Sequence, residues 1–137
     1  SRRIAKGIVM ARKYGAITTA KQLSSIIESS VPVFYKKGKI NPSTKTFQAM
    51  RIAVNDELGK LEKFIAVAID ALNVGGTLAI ITFHSLEDRI VKLRFREYLQ
   101  TDDFELLTKK PIVPTREELL ENPRARSAKL RVIKKIN

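Results

Sequence analysis

The residues of this chain with the clearest chemical potential stand together at Phe83-His84-Ser85. His84 is the only histidine, and imidazole is the side chain best placed to exchange a proton near neutral pH. The run before it, Thr77-Leu78-Ala79-Ile80-Ile81-Thr82-Phe83, is apolar without alternation, which reads as a strand buried on both faces of a parallel sheet. Ligands of open sheets bind outside the carboxyl ends of the strands, and that rule puts His84 and Ser85 where function is expected. A structural reading stands beside the functional one. His84 can be a hydrogen-bonded structural residue, and Ser85 has the character of an N-cap, with Glu87 and Asp88 favourably placed at the positive end of the next helix. Those carboxylates read as helix-stabilising rather than catalytic. With a single His and no Cys, neither a zinc centre nor a Ser-His-Asp triad can be assembled.

A second concentration lies at Asn122-Pro123-Arg124-Ala125-Arg126-Ser127-Ala128-Lys129-Leu130-Arg131. The planar fork of arginine suits phosphate, because it makes two charge-assisted hydrogen bonds. Arg124 and Arg126 precede a strand-like run in which Lys129 and Arg131 alternate with Leu130 and Val132. The same pattern also describes an edge strand protected from aggregation by charge. Further cations fall at helical spacing: Arg2, Lys6 and Lys13 near the start of the chain, and Arg89, Lys92 and Arg96 after Ser85.

The elements that would position these groups follow from periodicity. Ser1 to Tyr14 reads as a helix burying Ile4, Ile8 and Ala11, stopped by Gly15. Thr18 or Thr19 caps a second helix, about Ala20 to Ser29, that buries Leu23, Ile26 and Ile27. After Pro32 comes a basic loop, Tyr35-Lys36-Lys37-Gly38-Lys39. Thr44 to Leu72 carries a long helical pattern, and its length predicts a break near Asn55 to Gly59. Asn73-Val74-Gly75-Gly76 predicts a tight turn, and a helix is expected from about Leu86 to Leu99. Short strands are expected near 104–107 and 128–133, separated by a polar segment with Pro111, Pro114 and Pro123. Helix and strand in alternation is α/β grammar. Two or three strands make a poor independent sheet, so the chain reads as part of a larger domain.

Charge narrows the function classes. The 137 residues carry a formal +12, with 44% apolar content, enough for a core. Residues 1–50 hold ten basic and one acidic side chain, residues 51–108 seven and ten, residues 109–137 nine and three. A near-neutral middle between two basic ends favours polyanion-binding flanks over simple solubility. The absence of Cys suits a reducing compartment. The longest apolar stretch is far too short for a bilayer, and no signal-peptide pattern opens the chain. A small DNA-binding helical domain would need neither the buried strand nor the helix after it.

Several segments together resemble one family. Ile17-Thr18-Thr19 with Gln22-Leu23, the stretch Asn41-Pro42-Ser43 through Leu58, Gly75-Gly76 with Phe83 through Lys92, and Asn122 through Arg131 are similar to the ribosomal RNA small subunit methyltransferase H family, also called MraW. The likeness covers almost the whole chain, in order. It implies a fold in which the C-terminal part of a Rossmann-like class I methyltransferase sheet is preceded by part of an inserted α-helical domain. Residues 1–50 would belong to the RNA-facing insertion, and residues 51–137 to the catalytic domain. The implied activity is S-adenosylmethionine-dependent methylation of the exocyclic N4 amine of a cytidine in the decoding region of 16S ribosomal RNA. The implied partner is the small ribosomal subunit in the cytoplasm, with no membrane and with a homodimer among the oligomeric options. The base must leave its stack to be reached. His84 and Ser85 would then stand near it, while Arg2, Lys6, Lys36, Lys37, Lys39, Arg89, Lys92, Arg124, Arg126 and Lys129 hold phosphates. No metal is implied. The family's glycine-rich cofactor loop is expected upstream of Ser1, so no cofactor-binding residue is assigned here, and the chain alone is expected neither to bind the cofactor nor to turn over. A basic RNA- or ribosome-binding module without chemistry is the alternative reading.

Overall fold

The computed structural model describes residues 1–36 and 41–137, and of Lys36 only the backbone. Lys37 and Lys39 therefore lie outside the described residues. Two compact units divide the chain, Ser1–Asn55 and Asp56–Asn137. The division drawn from the sequence after residue 50 falls inside a helix, α4 (Thr44–Asn55), at whose end the contacts separate.

The first unit is helical: α1 (Arg2–Tyr14), α2 (Ala20–Ser30), the short α3 (Val33–Lys36) and α4. Thr19 caps α2 in a capping box, its hydroxyl accepting the Gln22 N–H at 3.2 Å while Gln22 Oε1 accepts the Thr19 N–H at 3.1 Å. Leu23 and Ile27 are buried, and α1 packs on α2 with Ile4, Ile8 and Ala11 half-buried. Gly7 permits the close approach, since a Cβ there would lie 2.0 Å from Ser30 Oγ. Glu28 is the single acid of residues 1–50, and it accepts hydrogen bonds from Ser24 and Asn41. Tyr35 and Lys36, expected in a loop, end α3 instead, because the turn after Pro32 closes with a bond from Tyr35 N–H to the Pro32 carbonyl at 3.0 Å.

The second unit opens at Asp56, whose φ of 49° is the left-handed residue that breaks the long helical pattern. It continues through α5 (Glu57–Asp70), β1 (Thr77–Thr82), α6 (Ser85–Tyr98), β2 (Phe104–Leu106), α7 (Arg116–Glu121), a 3-10 turn at Pro123–Ser127, and β3 (Lys129–Lys135). Gly75, with φ 84°, makes the turn into β1. The polar segment before β3 holds an unexpected helix, α7, begun by Thr115, whose hydroxyl accepts the Glu118 N–H at 3.2 Å.

The sheet has three strands in the order β1-β3-β2, and both outer strands run antiparallel to β3. This corrects the expectation of a parallel neighbour on each side of β1, since the neighbour found, β3, is antiparallel. Helices α5 and α6 cover one face only, packing Ile65, Ile69, Val91 and Phe95 against Ile80 and Ile133. Strand β1 accordingly alternates: Leu78, Ile80 and Thr82 face the helices, while Ala79 and Ile81 are exposed, Ile81 by 58%. No helix among the described residues is long and apolar enough to cross a membrane.

Candidate active site and RNA-facing surface

The carboxyl end of β1 runs through Phe83 into α6, and the cap of that helix is His84 rather than Ser85. The His84 Nδ1 accepts the Glu87 N–H at 3.3 Å. In return Glu87 Oε2 accepts the backbone N–H of His84 at 3.2 Å and of Phe83 at 2.9 Å. The imidazole thus does, from one residue earlier, what a serine hydroxyl does in a capping box. Ser85, the first helical residue, is left exposed together with Phe83 and Leu86.

The cap also fixes the ring's tautomer. A neutral imidazole that accepts through Nδ1 carries its proton on Nε2. That Nε2 is buried, lies 3.3 Å from Glu87 Oε1, and makes no hydrogen bond. Glu57, from the first turn of α5, lies close by: one ligand-type atom each of His84, Glu87 and Glu57 falls within 4.8 Å of the others. A metal ion would need the Nε2 lone pair, which would push the ring proton to Nδ1, against the Glu87 N–H. Cap and ligation exclude each other in the arrangement seen. Glu57 was not foreseen in the sequence, because only the folded chain brings α5 to the end of β1.

One turn into α6, Asp88 is buried and joins the two motif-bearing segments. It accepts Arg131 Nε at 2.7 Å and Nη2 at 3.3 Å, and Lys129 Nζ at 3.2 Å. Residues 129, 131 and 133 share the helix-facing side of β3, which is how alternation delivers both cations to one carboxylate. The Arg131 hydrogen bond holds the Asp88 carboxyl below its ordinary value, outweighing the opposing effect of burial. Thr82 pairs with Lys129, and its hydroxyl donates to the Lys129 carbonyl at 3.4 Å. The start of β3 therefore lies beside the end of β1, with Arg124 and Arg126 exposed on the 3-10 turn that leads into it.

Of the cations expected at phosphates, Arg89, Lys92, Arg124 and Arg126 are exposed in this unit, and no ion pair among the described residues engages them. Lys129 is tied to Asp88, with 39% of its side chain exposed. Arg2 and Lys6 are exposed on α1, in the other unit. Gly75 and Gly76 stand at the amino end of β1, and among the described residues no glycine-rich turn follows the carboxyl end of a strand.

The model of the MraW methylase family matches residues 1–136, and the chain belongs to that family. It is similar to the ribosomal RNA small subunit methyltransferase H of Persephonella marina, 53% identical over 136 residues, which are 99% of this chain and 46% of that protein. The protein of the same name from Synechocystis sp. is 57% identical over 99% of the chain and 43% of its own length. That from Leptospira interrogans is 48% identical, over 98% and 40%. The chain spans less than half the length of these curated relatives.

Proposed function

We propose that this chain is the base- and RNA-facing part of an enzyme that methylates N4 of a cytidine in the decoding region of 16S ribosomal RNA, with S-adenosylmethionine as donor. The setting is the cytoplasm, on the small ribosomal subunit. The observation that carries the reading is the meeting of the exposed Ser85 turn with the arginine-bearing start of β3, clamped by Asp88. Both belong to segments that resemble the family. Ser85 lies beside the extruded base through its free hydroxyl, and His84 holds the turn that presents it. Arg89, Lys92, Arg124, Arg126 and Lys129 hold the flanking phosphates, as do Arg2, Lys6 and the Lys36 to Lys39 segment in the helical unit.

In this reading residues 1–50 belong to an inserted helical domain, and residues 51–137 end a Rossmann-like sheet that continues beyond β1. In the order β1-β3-β2, β1 is an edge strand whose open side can take a further strand, and the exposed Ile81 and Ile112 offer an apolar face to a covering layer. The donor is held chiefly by residues other than these, so the 137-residue chain alone binds RNA without chemistry. Calorimetry of the chain with S-adenosylmethionine should register no heat of binding; micromolar affinity would overturn this division of labour. For the full-length protein acting on a decoding-region RNA, Ser85→Ala should slow methylation about tenfold, the worth of one hydrogen bond. His84→Ala should slow it as well, and His84→Asn, which can cap in its place, should restore most of the rate. An unchanged rate in both alanine variants removes the turn from the site.

A further inference from the structure

The first unit holds a cleft of about 460 Å³, lined among others by Arg2, Arg3, Ile4, Val31, Pro32 and Tyr35. Its size is within the range of small-ligand pockets, roughly 300–1,000 Å³. We propose that it seats one nucleotide of unpaired RNA, the base stacked on the Tyr35 ring and the adjoining phosphates on Arg2 and Arg3. This rests on the RNA-binding reading above, and adds a second point of contact to it.

Three observations converge on that occupant. Helix α3 puts large side chains on the surface, Val33 exposed by 67%, Phe34 by 77% and Tyr35 by 42%. Of these, Tyr35 lines the cleft, where its ring offers a flat face to a partner. Arg2 and Arg3 stand beside it with no hydrogen bond or ion pair among the described residues. An apolar peptide laid in the cleft would strip water from two guanidinium groups and return nothing. Finally, the one acid of residues 1–50, Glu28, is occupied with Ser24 and Asn41. The charge that answers an uncompensated basic surface is that of a polyanion.

Aromatic ring plus unpaired cations is the pattern by which single strands are bound: the ring takes a base face and the cations follow the backbone. A duplex hides its base faces inside the stack, so it satisfies the arginines and leaves Tyr35 idle. The cleft therefore distinguishes unpaired from paired RNA, whatever the sequence.

The test measures affinity of the full-length protein for a fluorescent single-stranded RNA and for the same sequence in a duplex. Tyr35→Ala should weaken single-strand binding about tenfold and leave duplex binding within twofold. Tyr35→Phe should keep wild-type affinity. Arg2→Ala with Arg3→Ala should weaken both, with a shallower salt dependence. Equal effects of Tyr35→Ala on the two RNAs, or none on either, would overturn the proposal while leaving RNA binding elsewhere intact. If Tyr35→Ala instead lowers thermal stability or changes oligomeric state with RNA affinity unchanged, the face covers protein and the proposal fails. A wild-type protein that binds neither RNA would defeat the parent reading along with it.

Discussion

Arg131 depends on Asp88 for its charge partner, and Asp88 depends on Arg131 with Lys129 as a second. Both are 9% exposed; removing Asp88 leaves Arg131 buried without a partner, and removing Arg131 leaves Asp88 with Lys129 alone. Asp88→Ala should therefore cost about 3–5 kcal/mol of stability in urea unfolding, and Arg131→Ala less, since Lys129 still answers Asp88. Replacing the pair together by apolar residues of similar volume should cost less than either single change. The same pair sets an acid limit. Because Arg131 lowers the Asp88 pKa below its ordinary 3.8, the stabilisation is complete above the unfolded value and is lost as pH falls through the lowered folded value. Wild type should lose stability on acidification more steeply than Asp88→Asn, the two converging at low pH; parallel curves would show that Asp88 is not responsible. His84 makes a smaller contribution: loss of its cap in His84→Ala should cost about 1 kcal/mol, and His84→Asn almost nothing.

Among elements, the break between α4 and α5 was legible in the sequence as excessive length, and Asp56 is the residue that takes the strain. At a φ of 49° a β-branched side chain is poorly tolerated, so Asp56→Ile should destabilise by about 1–2 kcal/mol. Asp56→Gly should be neutral or better, as thermal melts can check. Local signals of this kind were readable: the Thr19 cap, the Gly75 turn, the faces of α1 and α2. What periodicity could not supply was pairing. The run Thr77 to Phe83 is as apolar as a doubly buried strand, yet nothing within it records that helices cover one side only or that its neighbour is antiparallel. The cap at His84 was misplaced by one residue because hydroxyls are the commoner cap acceptors, and only the ring's Nδ1 geometry reveals the substitute. Helix α7 was hidden among prolines, although Thr115 with Glu117 and Glu118 was a start signal. The site's parts were visible as two words in the sequence; their meeting through Asp88 was not.

For the molecule as a whole, charge predicts behaviour that no single contact does. With +9 on residues 1–50 and +6 on residues 109–137, RNA affinity should fall steeply and linearly on a log–log plot against salt. Removing Arg124 and Arg126 together should reduce the slope by about one to two, and an unchanged slope would place both away from phosphate. The middle position of β3 has a different outcome, one of timing. Strands β1 and β2 meet only through a strand that is synthesised after both of them. On a translating ribosome the second unit must wait, its pairing edges unfilled and Ile80 without its neighbours, until residues 129–135 emerge from the exit tunnel. Nascent chains stalled before Lys129 should be cut rapidly by protease between Thr77 and Leu107, whereas chains stalled well past Asn137 should resist.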